Sequence, residues 1–355
     1  MRYVTYAASF GLAVTLLSAC AAQNRGDAVA TTPTIATADI ISHFEPENII
    51  GTPRPVDCTL SGGAAAQCLS ITVRAAPKAF TVGPWCPRNI SDGPDVSGIW
   101  LDAGTVYDAD GAFIQNLSTF YKDKSWQLFD PETGKIRVTD SKISCAAAAR
   151  PDVAAEYQNH CVECQLDYLD PDLTQTYVTP LQPVAAVALQ PRVGRSGVGV
   201  AFSGVKLEAS APVQDILSAH TLAPFDDCGG HVNLHVGYHL HAVTDCLSEV
   251  VQTTSDSPMV GLALDGYPIH SRLRDIEGDL DVCRGHATDT QDYHYHVNDP
   301  GANAILGCHK AQTGCVLNSS DDVCDASQSE RRGPPQGAGD RRGPPRGEEG
   351  RPPPR

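Results

Sequence analysis

Apolar residues along this chain fall in short runs with period two far more often than at helical spacing, which predicts strands broken by turns. Leu69-Ser-Ile-Thr-Val-Arg74 alternates in this way. Gly98-Ile-Trp100, Phe113-Ile-Gln-Asn116 and Trp126-Gln-Leu-Phe129 are further strand-like pieces bounded by Gly, Asp or Pro, residues that punctuate extended segments. Continuous apolar runs from Val184 to Leu189 and from Gly197 to Val205 predict buried strands. Met259 to His270 reads as a strand, a tight Asp265-Gly266 turn and a returning strand that delivers His270. Helical patterning is confined to alanine-rich Ala146 to Tyr157 and to Ala211 to His220. The expected fold is therefore mainly β, with a few short helices.

The two ends depart from this pattern. Arg2 supplies a minimal charged region, and the apolar run after it continues to Leu17, too short on its own for an ordinary membrane span, and closes in Leu17-Ser-Ala-Cys20. That tetrapeptide resembles a bacterial lipobox. The resemblance implies a signal peptide over residues 1–19 and a Cys20 that carries diacylglycerol on its sulfur and an acyl chain on its amine. Ala21 resembles outer-membrane sorting, so the expected location is the bacterial outer membrane, lipid-anchored and facing periplasm or surface. An ordinary secretory peptide, with Cys20 incidental, is the alternative. Residues 20–55, rich in Ala, Thr and Pro, read as a flexible tether. Residues 326–355 repeat Arg-Arg-Gly-Pro-Pro at 331 and 341, and over 331–355 seven arginines against three acids give +4. Such a tail cannot bury a core and reads as disordered.

Between these ends lie a β-rich region over 56–174 and a histidine-bearing domain over 175–325. The 355 residues carry 42 acidic and 26 basic side chains, a net charge of −16, which argues against nucleic acid as a partner. A lipid membrane through Cys20, and an envelope glycan or protein, are the partners expected. Trp85, Trp100 and Trp126 can line a glycan platform or, more ordinarily, fill a core. The thirteen cysteines less Cys20 leave an even set: Cys58, Cys68, Cys86, Cys145, Cys161, Cys164, Cys228, Cys246, Cys283, Cys308, Cys315 and Cys324. In an exported chain such a set reads as disulfides linking the β-rich body, with pairing left open. Cys161-Val-Glu-Cys164 has the spacing of a redox dithiol, but no strand-to-helix signature surrounds it.

Nine of the twelve histidines fall between Asp227 and His309, where one pattern is written twice. Cys228-Gly-Gly-His231 precedes Tyr238-His-Leu-His241, and Cys283-Arg-Gly-His286 precedes Tyr293-His-Tyr-His296, each element displaced by 55 positions. In a strand, His-x-His puts both rings on one face and sends Tyr238 and Leu240, or Tyr293 and Tyr295, to the other. His231, His239, His241, His286, His294 and His296 are therefore the candidate ligands of a transition metal, copper or zinc. Whether the two units build one site or two is open. His235 and His309 have no counterpart in the repeat and are left out. Asp227, Asp265 and Asp292 are candidates to orient a ligand imidazole, and Asp265, Asp292 and His270 to act as a catalytic base.

Tyr293-His-Tyr-His296, with Gly261 to His270 and Asp281-Val-Cys-Arg-Gly-His286 before it, resembles the bacterial YHYH domain. The likeness covers roughly residues 175–310. It implies an exported domain more directly than an activity. Three functions stay open: an envelope lipoprotein binding a metal through the duplicated His-x-His units; a metal-dependent hydrolase or oxidase of an envelope substrate; and a glycan-binding or structural module whose histidines only pack. No Gly-x-Ser-x-Gly elbow and no twelve-residue EF-hand loop is present.

Overall fold

The computed structural model describes residues 37–78, 81–150, 152–189, 193–194, 196–247, 257–273, 280–289, 291–318 and 322–328. The expected signal peptide, Cys20, the tether up to residue 36 and the Arg/Pro tail from residue 329 lie outside the described residues. The fold is mainly β with few short helices, and all twelve remaining cysteines are paired.

Residues 37–55 correct the tether expectation. Helix α1 (Thr37–Ser42) leads to Phe44, buried edge-on against Phe202 with ring centroids 5.1 Å apart. Strand β1 (Ile49–Thr59) then pairs antiparallel with β2 (Ala65–Arg74). Pro53 and Pro55 suggested a linker, but β1 has a neighbour on one side only, and an edge strand tolerates residues without an N–H. Strands β3 (Ile99–Asp102) and β4 (Thr105–Asp108) form a hairpin. Phe113 to Asn116, expected as strand, lies in helix α2 (Gly111–Phe120): Asp110 caps it by accepting from the Phe113 N–H at 2.8 Å, and Ile114 and Leu117 bury one face. The helix expected over Ala146 to Tyr157 lies earlier, as α3 (Lys142–Ala148), because a reciprocal Ser141/Ser144 cap starts it there; of the rest, among the described residues, only Ala155–Tyr157 turns, as a single 3-10 turn. Trp85, Trp100 and Trp126 are all buried.

Strand β5 (Thr174–Pro180) pairs with β2. The expected strand over 184–189 is absent apart from one bridge, Ala185 with Ala311, because Val187 and Leu189 face solvent. There follow β6 (Gly199–Ala201), β7 (Lys206–Leu207), α4 (Val213–Ser218), β8 (Gly230–Asn233), β9 (Gly237–Leu240), β10 (Met259–Ala263), β11 (Pro268–His270), β12 (Gly285–His286), β13 (His294–His296) and β14 (Cys315–Leu317). Strand β14 pairs with β5, which gives a four-stranded sheet ordered β1-β2-β5-β14. The 56–174 and 175–325 stretches thus share a sheet.

The other eight strands form one sheet ordered β12-β13-β11-β10-β6-β7-β9-β8, which reads the same from both ends once the second four strands are matched to the first four. Hairpin β6-β7 corresponds to β10-β11; β7 runs parallel to β9 as β11 does to β13; β8 and β12 close the two edges antiparallel. At the centre, Gly261 faces Ala201, Ala263 faces Gly199 and Leu262 faces Val200, so a pseudo-two-fold axis runs between β6 and β10. The glycines are needed there: a Cβ on Gly199 would lie 2.1 Å from the Leu262 carbonyl oxygen, and one on Gly261 2.5 Å from that of Val200. The repeat therefore spans four strands, not only the histidine motifs. Its first half is written in the sequence as Val198-Gly-Val-Ala-Phe-Ser-Gly204 against Val260-Gly-Leu-Ala-Leu-Asp-Gly266, displaced by 62 rather than 55 positions. The unequal spacing hides it from a search at one fixed period.

The disulfides follow the same symmetry. Cys228–Cys246 and Cys283–Cys308 each fasten the turn that begins one histidine unit. Cys161 and Cys164 bond to Cys86 and Cys145, not to each other. They are structural crosslinks, and Cys58–Cys68 and Cys315–Cys324 fasten the four-stranded sheet.

Candidate metal centres

Each unit starts from a carboxylate that organises a tight turn. Asp226 accepts from the backbone N–H groups of Cys228 and Gly230 at 3.1 and 3.0 Å, and Asp281 accepts from those of Cys283 and Gly285 at 2.9 and 3.1 Å. The turn passes through a left-handed residue, Gly229 (φ 86) or Arg284 (φ 74), and reverses the chain into β8 or β12. Tyr238 then donates its hydroxyl to Asp226, and Tyr293 its own to Asp281. The tyrosine locks the hairpin from behind while the histidines two residues apart face forward. Tyr238, Leu240 and Tyr295 are buried in the core on the other face, as strand alternation requires.

The register brings the rings together. His231 stands opposite His239 and His286 opposite His294. Ring centroids in the first unit lie 4.7, 5.1 and 4.9 Å apart for His231/His239, His231/His241 and His239/His241. In the second unit the matching separations are 4.8, 5.0 and 4.9 Å. The six predicted ligands thus form two triads, one per unit, each with its ligand atoms within 4.8 Å of one another. Each triad can hold a metal ion.

Backbone carbonyls, rather than the aspartates expected from sequence, orient these rings. His239 Nδ1 meets the Gly237 oxygen at 3.0 Å, His241 Nδ1 that of Ala209 at 2.5 Å, His294 Nδ1 that of Asp292 at 2.7 Å and His296 Nδ1 that of Ser271 at 2.8 Å. A carbonyl only accepts, so Nδ1 carries the proton and Nε2 keeps its lone pair for a ligand. Burial also holds the rings neutral. It lowers the pKa of His239 to about 4 and of His241 and His296 to about 3, and it depresses His231 and His294 as well.

Two details test the fit to a metal. The Nε2 of His294 is buried without a hydrogen-bond partner, which costs free energy unless something fills the lone pair. His296 and His286 bring their Nε2 atoms to 3.2 Å. Two imidazole nitrogens on one tetrahedral ion, each about 2.0–2.1 Å from it, would stand about 3.3 Å apart. The donor set fits a first-row transition metal.

The remaining candidates are dispersed. His270 joins the second unit: its ring centroid lies 4.5 Å from that of His294 and 5.7 Å from that of His296, and its Nδ1 meets the Ser257 oxygen at 2.7 Å. Asp265 is fully buried and accepts from the Tyr295 hydroxyl at 2.5 Å and the Ala311 N–H at 3.0 Å, behind the strand that carries His294 and His296. Asp292 is exposed and contributes its backbone oxygen. Asp227 is exposed too, and Asp226 beside it does the structural work that sequence reasoning did not foresee. His235 lies exposed in the β8-β9 turn, and His309 Nε2 meets the Val198 oxygen at 2.9 Å, so neither joins a triad.

The sequence also gave no warning of Glu208. Leu207 pairs with Leu240 and Ile269 with Tyr295, so the next residues, Glu208 and His270, occupy equivalent positions beside the two triads. Glu208, with His231, His239 and His241, lines a cavity of about 320 Å³. The β-rich N-terminal region supplies its other wall, including Trp85, Ala148 and Val162. Among the described residues no helix is long and apolar enough to cross a membrane.

No curated protein and no solved structure matches the chain. A family model described as YHYH protein does match, over residues 176–276, which takes in the first histidine unit and the Gly261–His270 hairpin and stops before Tyr293. Over that stretch the chain carries a YHYH domain.

Proposed function

We propose that this protein is an envelope lipoprotein that binds copper or zinc through its duplicated His-x-His units, for storage, sensing or delivery. The observation that carries the reading is the pair of matching triads, each with its ligand atoms within 4.8 Å of one another, in which His239, His241, His294 and His296 tie Nδ1 to backbone carbonyls. Three neutral imidazoles suit both metals. Acylated Cys20 supplies the membrane anchor, and a Cys20→Ala protein still sedimenting with membranes would remove that part of the proposal.

Elemental analysis of protein purified without a histidine tag tests the core of the reading. Two triads predict two equivalents of metal, and the His239→Ala/His241→Ala/His294→Ala/His296→Ala variant holds none while its circular dichroism stays native. Wild-type protein that stays empty after controlled reloading would sink the idea.

A second reading is favoured by the cavity over the first triad. A metal-dependent hydrolase or oxidase needs a position beside its metal for water or substrate, and the first unit has room for one. This reading predicts turnover lost in His239→Ala and retained in His294→Ala.

A further inference from the structure

The two triads are nearly superposable, so the informative difference is the residue beside each. His270 stands next to His294 and His296 in the second unit, with Nδ1 tied to a backbone oxygen like those of its neighbours. Its ring lies beside theirs but its ligand atom falls outside the set of three that stand within 4.8 Å of one another, so it has to draw in to serve as a fourth imidazole. Glu208 stands at the same place in the first unit, and both of its oxygens are taken: Lys206 Nζ lies 2.7 Å from Oε2, and the Ala209 N–H donates to Oε1 at 2.9 Å. The second unit has Pro268 where the first has Lys206.

The surroundings differ in the same sense. The cavity touches His231, His239 and His241, and its walls are mostly apolar, with Val162, Ile216, Val232 and Val236 among them. Arg150 and Asp215 also line it. Apolar pockets with a few convergent polar groups are the ordinary form of small-molecule sites.

We infer that the first centre keeps one coordination position for an exogenous ligand, a small and largely apolar molecule with a single nitrogen or oxygen donor, whereas His270 fills that position in the second centre. The inference rests on the metal reading above. It divides the labour between the units: the second centre is closed and holds its ion, and the first exchanges.

Cobalt(II) and azide test it. Two proteins are loaded with Co²⁺, His294→Ala/His296→Ala to isolate the first centre and His239→Ala/His241→Ala to isolate the second. Azide is expected to change the visible d–d spectrum of the first, and to bind the second weaker by on the order of tenfold or more. Glu208→His, which supplies the missing imidazole, should abolish the response of the first centre without loss of Co²⁺, and His270→Ala should create one in the second. These single substitutions in otherwise intact triads keep the test valid if a double variant misfolds. Equal azide responses at both centres, or none at a loaded first centre, would overturn the inference while leaving metal binding intact. Failure of either centre to take up Co²⁺ would overturn the metal reading and this inference with it.

Discussion

At the turn that begins the first histidine unit, Asp226 is 1% exposed and accepts from the Tyr238 hydroxyl and the N–H groups of Gly83, Cys228 and Gly230. At the same place in the second unit, Asp281 makes the matching bonds to Cys283, Gly285 and Tyr293 but also meets Lys310 Nζ at 2.9 Å, half in solvent. The difference comes from cover. The N-terminal region packs on the first unit, bringing Gly83 to Asp226 and the Trp85 indole N–H to the Gly230 oxygen at 3.0 Å. Burial raises the pKa of Asp226 to about 6, whereas the Asp281 carboxyl is held below its usual range, with the Lys310 ammonium and the backbone donors outweighing its partial burial. One backbone design thus serves a buried unit with a cavity and a more open one.

Acid gives the largest expected effect. The folded-state pKa of His239 and His270 is lowered to about 4 and that of His241 and His296 to about 3, so below pH 6.5 the unfolded chain takes up protons that the folded metal-free protein refuses. Stability is then lost as pH falls from about 6.5 toward 4, by up to about 1.4 kcal/mol per pH unit for each such proton. Asp226 works the other way between about 6 and 3.8, because only the folded state holds its proton. Urea denaturation of chelator-treated protein across this range measures the slope. It should be shallower in either double-alanine variant, and a flat profile in the wild type would contradict neutral, buried triads.

Removing the turn carboxylates separates the units next. Asp226→Ala strands four donors, three of them buried, and should cost about 3 kcal/mol, against about 1 kcal/mol for Asp281→Ala, where two of the four donors, Tyr293 and Lys310, can turn to water. Equal losses by thermal denaturation would mean that the N-terminal cover adds nothing.

Leu240 and Tyr295 mark a third contrast. Tyr295 donates to the buried Asp265, and the first unit replaces both members, with Leu240 and, at the equivalent hairpin position, Ser203. Tyr295→Phe should cost about 2 kcal/mol by depriving a buried carboxylate of one of its two donors. Adding Asp265→Ser should recover part of that loss, and strictly additive losses in the double-mutant cycle would break the pairing.

The smallest effect belongs to the turn itself. Arg284 adopts φ 74 where the first unit has Gly229, and a side chain there costs about 1 kcal/mol or slightly more. Arg284→Gly relieves that strain but frees the unfolded chain, so its melting temperature should stay within a few degrees of wild type. A large drop would assign Arg284 contacts that outweigh the strain.

Much of this was legible in the chain because it depends on local spacing. Period two fixes which side of a strand a ring occupies, so the duplicated Tyr-His-x-His motifs placed His239, His241, His294 and His296 on one face. The even set of cysteines in an exported-looking chain pointed to disulfides, and Asp265-Gly266 forecast the turn that delivers His270. Local patterning also misled where context overrode it: Pro53 and Pro55 sit in an edge strand, and Phe113 to Asn116 became helical once Asp110 capped the segment. Tertiary structure alone decided that the six histidines form two triads, because that depends on pairing within each hairpin rather than between units. It alone paired the cysteines and put Glu208 and His270 in equivalent places beside their triads. Parallel pairing of β7 with β9 and of β11 with β13 joins residues some thirty positions apart, and no local rule of spacing or propensity specifies which distant strand a short segment will find.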